Sequence, residues 1–405
     1  MIKAAKAVEL VSPPKVVPVM PGSFIKELIH RDVSVRSAGI KDLKAILPLA
    51  REMNSINLPC AEGVLRQRLL LSDASFENIE RGGGEEHFQP GFFQFVAEEV
   101  RPGTSEPKPI GACNITGMAG TEDNPYLYYL LKDGILTLQQ LPFHEGPTTF
   151  GGIILDEDYR GNRFFPFSKL LSYARCWFLM RHSEIFRYPI FAEILPIKTG
   201  PRERQNNFWS WVSQPEKNKL AGAKEINLTY EQITRQVHLR TKMLKAHLPK
   251  VIPLESMSPA VARDFDLAKE ESRPAQRNLE RIYFRPANRY YVVDAGIIIE
   301  AKLQNLIFWR SGMQAGYPRV CNNYFFDMIG LVGTTSPETG HVRLTLTPYS
   351  IVPGNPSYIY LPGEKMRGLG FDRNDTPGLV HALPVPLYTF ESFFGGAGKL
   401  NGGKY

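Results

Sequence analysis

Cysteine is scarce in this chain, and the four residues (Cys60, Cys113, Cys176, Cys321) stand far apart with no C-x-x-C pair among them. That spacing argues against a disulfide framework or a thiolate metal site. Cys113 and Cys176 lie in apolar runs, as buried thiols of a reducing cytosol do. His238 and His247 lack ligand spacing, so no metal is expected. No apolar run approaches membrane-spanning length. Glu9, Pro13, Pro14 and Lys15 interrupt the N-terminal stretch before a signal-peptide core could form. Long blocks of Lys or Arg are also missing, although the formal charge is +7 and the pI near 9.1. The balance suits a small anionic ligand, and no basic arm or base-stacking motif points to nucleic acid. There is no internal repeat. These absences leave a soluble cytoplasmic protein with no membrane or nucleic-acid partner as the expectation.

What is present is an ordinary globular composition, 43% hydrophobic and 22% charged over 405 residues, enough for two or three domains. One stretch, Thr149 to Met180, organises the rest. Ile153-Ile154-Leu155, bounded by Gly151 and Gly152, reads as a buried strand. A polar turn follows, Asp156 to Arg163, with Arg160, Gly161, Asn162 and Arg163 at its end. From Ser168, an N-cap candidate, the pattern becomes helical. Leu170, Leu171, Ala174, Trp177 and Phe178 share one face, and Lys169, Ser172 and Arg175 are expected to turn elsewhere. Strand, basic turn and capped helix can hold phosphates, because free backbone N–H groups and the helix dipole favour an anion. Coenzyme A is one such ligand. The competing reading is an ordinary strand–turn–helix unit with two solvated arginines.

Residues 1–30 read as a proline-punctuated arm. Val33–Arg36 is a strand, with a helix set by Leu43, Ile46, Leu47 and Ala50 behind it and a second helix over Glu62–Leu71. Arg81–Glu86 is a glycine-rich loop. Phe92–Glu98 and Ile110–Met118 read as paired strands, and the aromatic segment 124–141 has no clear period. After the central unit come a strand at Tyr188–Ile194, a short aromatic helix at 206–212 and an amphipathic helix at 229–245. Residues 249–273 look irregular. A hairpin over 288–302 turns at Asp294-Ala295-Gly296, and the chain beyond Asn305 is strand- and turn-rich. The expected division is an arm (1–30), a domain carrying the phosphate-type turn (31–215) and a second α/β part (216–310). A β-rich module (311–390) and a flexible tail (391–405) follow. The fold class is α/β (α+β).

Several short motifs occur in a familiar order: Val35-Arg36 before the 42–50 helix, Ile110-Gly111-Ala112-Cys113, Asp123-Asn124-Pro125-Tyr126 and His144-Glu145-Gly146. Then come the Ile153–Arg160 strand and turn, Ala192-Glu193, Asn207-Phe208-Trp209 and Leu248-Pro249-Lys250. Over about Arg31 to Phe371 the chain resembles the bacterial arginine N-succinyltransferase family, and its element order is similar to the GNAT N-acyltransferase fold. The resemblance implies a succinyl- or other acyl-CoA as cosubstrate, no metal, and an amine acceptor such as arginine; it makes 31–215 a GNAT-like acyl-CoA-binding domain and 216–310 the part completing the acceptor site. It also marks departures. The turn after Arg160 holds Arg163-Phe164-Phe165-Pro166-Phe167 where the family is glycine-rich, Phe150 replaces an acid, Leu195 an arginine, and Lys269 falls where the family's proton-donating histidine aligns.

The implied reaction needs a base for the acceptor amine and donors for the thioester carbonyl. Ile153, Ile154 and Leu155 would offer backbone N–H groups to the carbonyl, or be plain core strand. Arg160, Gly161, Asn162, Arg163, Ser168 and Lys169 would surround the pyrophosphate, or the arginines would pair with Asp156, Glu157 and Asp158. Glu193 would act as base or hold the acceptor's cation, or be a structural acid beside Arg187 or Lys198. His144 would act on the acceptor side, or be a loop histidine. Copies of the chain could associate through the β-rich module. The alternative to a working N-acyltransferase is a catalytically lapsed member serving in binding or assembly, favoured by the crowded turn 163–167.

Overall fold

The structure, a computed structural model, describes residues 22–53, 57–80, 91–101, 103–104, 106–120, 125–142, 145–162, 165–196, 207–212, 248–264, 272–321, 326–351, 357–371, 378–386 and 389–390. It begins with helix α1 (Gly22–His30), which buries Phe24, Leu28 and Ile29. The loosely packed arm expected over residues 1–30 therefore gives way to a helix at Gly22. Phe24 and Leu28, four residues apart, share the face turned to the core. Strand β1 (Asp32–Ala38) leads to helices α2 (Leu43–Met53) and α3 (Glu62–Glu80). Strands β2 (Phe92–Val100) and β3 (Lys108–Thr116) pair antiparallel, as their composition predicts.

The aromatic segment without a clear period is a hairpin, β4 (Leu127–Lys132) and β5 (Ile135–Gln140). Its two-residue turn is Asp133-Gly134, both at positive φ (51° and 76°), the geometry an Asp-Gly pair favours. The central unit follows: strand β6 (Thr148–Leu155), helix α4 (Phe167–Arg181) and strand β7 (Ile190–Glu193), then helix α5 (Asn207–Val212). The amphipathic helix expected at 229–245 and the loop at 81–86 lie outside the described residues. The stretch expected to be irregular carries a short strand, β8 (Val251–Pro253), and the helix Pro259–Asp264. Strands β9 (Arg285–Tyr291) and β10 (Ile297–Ala301) form the expected hairpin around Asp294 to Gly296.

The C-terminal strands are β11 (Gln314–Val320), β12 (Met328–Thr335), β13 (Val342–Ile351), β14 (Tyr358–Leu361) and β15 (Val380–Pro384). They close on one another through the pairs β12–β13, β13–β14, β14–β11, β11–β15 and β15–β12. Closure leaves this group few unpaired edges. β13 also pairs with β1, Val35 opposite Leu344, so the described strands run as one sheet. From β13 the order continues β1-β2-β3-β6-β7-β10-β9-β4-β5-β8. The mixed α/β class read from sequence is what forms.

α4 lies on one face of the central strands, over Phe95, Cys113, Ile115 and Phe150; α2 and α3 cover the other face over Val96, Ala112 and Ile154. Strand β2 is therefore buried on both faces, which erases the alternation of a half-exposed strand. The same crowding corrects the expectation for α4. Lys169, Ser172 and Arg175 are buried along with its apolar stripe, because the helix also packs against the helices Arg273–Arg281 and Ile307–Ser311. Each buried cation has a remote partner. The Arg175 guanidinium stacks on the Phe150 ring at 4.6 Å, and the Lys169 ammonium donates to the Thr389 carbonyl beside the Phe390 ring.

Acid should loosen this core from its far end. His182, just past α4, is 2% exposed, and its pKa is pushed down to about 3 by burial, with Arg181 and His381 adding to the effect. Burial and Arg181 likewise lower His381 to about 4. Both stay neutral in the folded chain while the unfolded chain takes up protons near the free-histidine value of about 6.5. Unfolding therefore binds extra protons below that pH, so stability is full above it and falls as pH drops toward 4. Thermal midpoints recorded from pH 8 to pH 5 should decline through this window. Replacing His182 with glutamine should flatten the decline.

Candidate functional site

The site is built on an irregularity in β6. Its pairing with β3 runs Gly111 opposite Leu155 and Ala112 opposite Ile154, then resumes with Asn114 opposite Gly151. Gly152 and Ile153 thus face Cys113 alone, a bulge with Gly152 at φ +56°. A side chain at Gly152 would start 2.2 Å from Asn114 Nδ2, so the position needs glycine for space as well as for backbone angle. The extra residue flips the strand's faces. Phe150, Ile153 and Leu155 all turn toward α4, and Ile154 turns toward α2 and α3.

On its other edge β6 runs parallel to β7, but only Thr148 to Phe150 are paired there, with Ile190 to Ala192. Beyond Phe150 this edge has no strand partner among the described residues. The bulge thus coincides with a parting of two parallel strands. Amides alternate between the two edges of a strand: those of Ile154 and Asp156 face β3, and only amides of the 151–155 run that face the other edge are placed to donate to a ligand there.

Glu193 closes β7 at the mouth of this opening. One carboxylate oxygen accepts from the Tyr126 hydroxyl at 2.7 Å, the other from Asn57 Nδ2 at 3.2 Å. Burial, together with the neighbouring carboxylate, holds the Tyr126 phenol well above its ordinary pKa, so it stays protonated and donates. A small pocket beside the carboxylate is lined by Asn57, Glu193, Ile194, Leu195, Tyr291 and Asp294. Asp294 is buried in the β9–β10 turn, where it accepts from the Gly296 amide at 2.9 Å. Two carboxylates and a tyrosine ring make a lining suited to a cationic amine or guanidinium.

The basic turn is built differently from the device drawn from sequence. Arg160 donates its Nε to the Leu155 carbonyl at 2.9 Å and pairs with Glu52 through its terminal nitrogen. Gly161 sits at φ +65° with open space around it, and Asn162 accepts from the Phe165 amide at 2.9 Å. Ser168 is not the N-cap: Pro166 holds that position without a side-chain bond, and Ser168 Oγ accepts from Asn278 at 3.5 Å. The amides of Phe167, Lys169 and Leu170 already point to the carbonyls of Phe165 and Pro166, so this terminus offers fewer free donors than one whose first four amides are unpaired. Lys169 is turned inward to Thr389. Phe165 and Phe167 pack on each other at 4.7 Å and join Tyr159 in the main core; neither lines the pocket.

Ile153, Ile154 and Leu155 continue β6 past its last pairing with β7, and Glu193 ends β7 one residue beyond that pairing. Arg160, Gly161 and Asn162 lie beyond the end of β6. Arg163, His144, Phe164, Lys198 and Lys269 lie outside the described residues. Sequence reasoning missed Asn57, Tyr126 and Asp294 as site residues. Tyr126 stood in a quoted turn and Asp294 in the expected hairpin, whereas nothing local distinguished Asn57. Among the described residues no cluster of His, Cys, Asp or Glu is arranged to hold a metal, and no helix is long and apolar enough to cross a membrane.

Fold and site together define a mixed α/β protein with a parted pair of parallel strands and a carboxylate-lined pocket at the end of the second strand, β7. A family model described as the arginine N-succinyltransferase beta subunit matches residues 33–307, and the chain belongs to that family. Among solved structures, it is similar to the arginine/ornithine succinyltransferase subunit AI of Pseudomonas aeruginosa. The TM-score is 0.65 at 18% identity, covering 87% of this chain and 99% of that one. At that identity the likeness shows a shared fold. No curated protein sequence gives a significant match.

Proposed function

We propose that this protein is an acyl-CoA-dependent N-acyltransferase acting on arginine or a related cationic amine, with succinyl as the first acyl group to test. The observation that carries this is the opening between β6 and β7 beside the Glu193–Asp294 pocket. The acceptor nitrogen attacks the thioester carbonyl carbon, the carbon–sulfur bond breaks, and coenzyme A leaves as a thiol. Amides of the Ile153–Leu155 run that face away from β3 polarise the carbonyl. Glu193 takes the amine's proton or holds its cationic end, with Asp294 on the same wall. His144 remains a candidate on the acceptor side. The element order around β6 fits the GNAT N-acyltransferase pattern.

The pyrophosphate would lie along the turn, with Arg160, Gly161, Asn162, Arg163 and Ser168 around it. Arg160 would exchange Glu52 for phosphate, a trade favoured by the bidentate fork. Lys169, committed to Thr389, is the weakest of these contacts. Tyr291 and Asp294 come from the β9–β10 hairpin, which supports the division in which residues 216–310 complete the acceptor site. The β-rich part at 311–390, joined to the main sheet through β13 and β1, would offer its outer surface for association with other copies, and a cytoplasmic location fits the cosubstrate.

A second reading, a lapsed member that binds without turnover, is favoured by one observation: Arg160 is already paired. A panel of acyl-CoAs and amines, followed by free-thiol release, separates the readings. Thiol released only when a cationic amine is present supports the transferase. Coenzyme A binding without release supports the lapsed member, and response to neither overturns both.

A further inference from the structure

We infer that Asn57 is a positioning residue that ties the acyl side of the site to the acceptor side by fixing the Glu193 carboxylate. The inference deepens the transferase reading and rests on it for its catalytic consequence. Asn57 lies in the connection between α2 and α3, and its backbone is held from two directions. Its carbonyl accepts from Arg68 of α3 at 2.9 Å and from the Asn114 side chain of β3 at 2.8 Å. Asn114 is the residue whose amide nitrogen occupies the space above Gly152. The Asn57 side chain lies against Gly151, where a Cβ would come within 3.0 Å of its Cγ. From that anchored backbone, Nδ2 reaches Glu193. Asn57 thus touches the bulge with one end and the carboxylate with the other.

An amide at this position has a chemical reason. Its NH2 group donates to Glu193, favouring the ionised carboxylate, and Tyr126 does the same for the second oxygen. Among the described residues, Tyr291 and Asp294 of the β9–β10 hairpin share a pocket with Glu193, and the Arg289 guanidinium, paired with Glu300, stacks on the neighbouring Phe191 of β7 at 5.2 Å. An aspartate at 57 would face Glu193 with an acceptor and a like charge. Because the Arg68 and Asn114 bonds end on the backbone carbonyl of residue 57, side-chain replacement leaves that anchor available.

The test compares the wild type with Asn57→Asp and Asn57→Ala. Side-chain carboxyls of glutamate are followed by 13C NMR, with the Glu193 signal assigned by its loss in Glu193→Gln. The Glu193 titration midpoint should move up by about one unit or more in Asn57→Asp and by less in Asn57→Ala. In turnover, kcat should fall about tenfold with the KM for acyl-CoA little changed, and the acid limb of the pH–rate profile should move up with the midpoint. A merely structural asparagine would lower the thermal midpoint and scale kcat equally at every pH. An unmoved NMR midpoint in both folded variants overturns the inference. If the wild type shows no turnover but the midpoint moves, the positioning role stands and the transferase reading falls.

Discussion

Replacing Gly152 with valine should abolish acyl transfer while lowering stability by a measurable amount. Gly152 adopts φ +56°, and a β-branched residue there carries a strain of roughly 1–3 kcal/mol. Space adds to the angle, since the new Cβ would sit 2.2 Å from Asn114 Nδ2 and 3.1 Å from the Asn57 carbonyl. Either the bulge flattens or Asn114 swings away from Asn57. A flattened bulge would turn Ile153 and Leu155 away from the α4 side and reset the amides that meet the thioester. Loss of a positioned carbonyl donor costs on the order of 100-fold or more in kcat, so activity should drop below detection before the fold fails. Gly134→Ala, in the β4–β5 turn, is the matched control. It also has positive φ, +76°, but open space around it, so it should cost about 1 kcal/mol and leave turnover near wild type. Circular dichroism melts and thiol-release rates read the two variants side by side.

The second large effect is expected at Glu193. Glutamine keeps the shape and can still accept from Asn57, while the Tyr126 hydroxyl turns to accept from the new amide. Stability should change little. Catalysis should not survive the change, because the lost charge removes both the proton acceptor and half of the pocket's attraction for a cation. A fall in kcat/KM of about 100- to 10,000-fold is the size general base catalysis supplies. Asp294→Asn separates the two roles. If Glu193 is the base and Asp294 only attracts the cation, Asp294→Asn should raise the acceptor's KM and leave kcat largely intact. Steady-state rates with the acceptor varied at saturating acyl-CoA decide the point.

Much of the scaffold was legible in the chain itself. The Ile153–Leu155 run, the polar turn and the apolar spacing after Ser168 gave strand, turn and helix, since each signal is local. The Asp133-Gly134 hairpin was equally local and readable from the dipeptide, but the flanking tyrosines and leucines masked the alternation. The bulge was not legible. Gly151-Gly152 looks like a strand boundary, and only the register against β3 shows two residues facing Cys113. Buried polar residues on α4 were misplaced because their partners are remote: Lys169 meets Thr389, 220 residues away. The pocket has the same difficulty. Asn57 and Tyr126 lie 136 and 67 residues from Glu193, and the hydrogen bonds joining them leave no periodic trace in sequence.

If an acyl-CoA docks on the parted edge of β6, amide hydrogen exchange reads that edge directly. With coenzyme A or succinyl-CoA added, the amides of Ile153 to Leu155 should exchange more slowly, while those of the closed C-terminal strands stay unchanged. Exchange at residues 153–155 that is identical with and without saturating ligand, or protection confined to another part of the molecule, would contradict docking there.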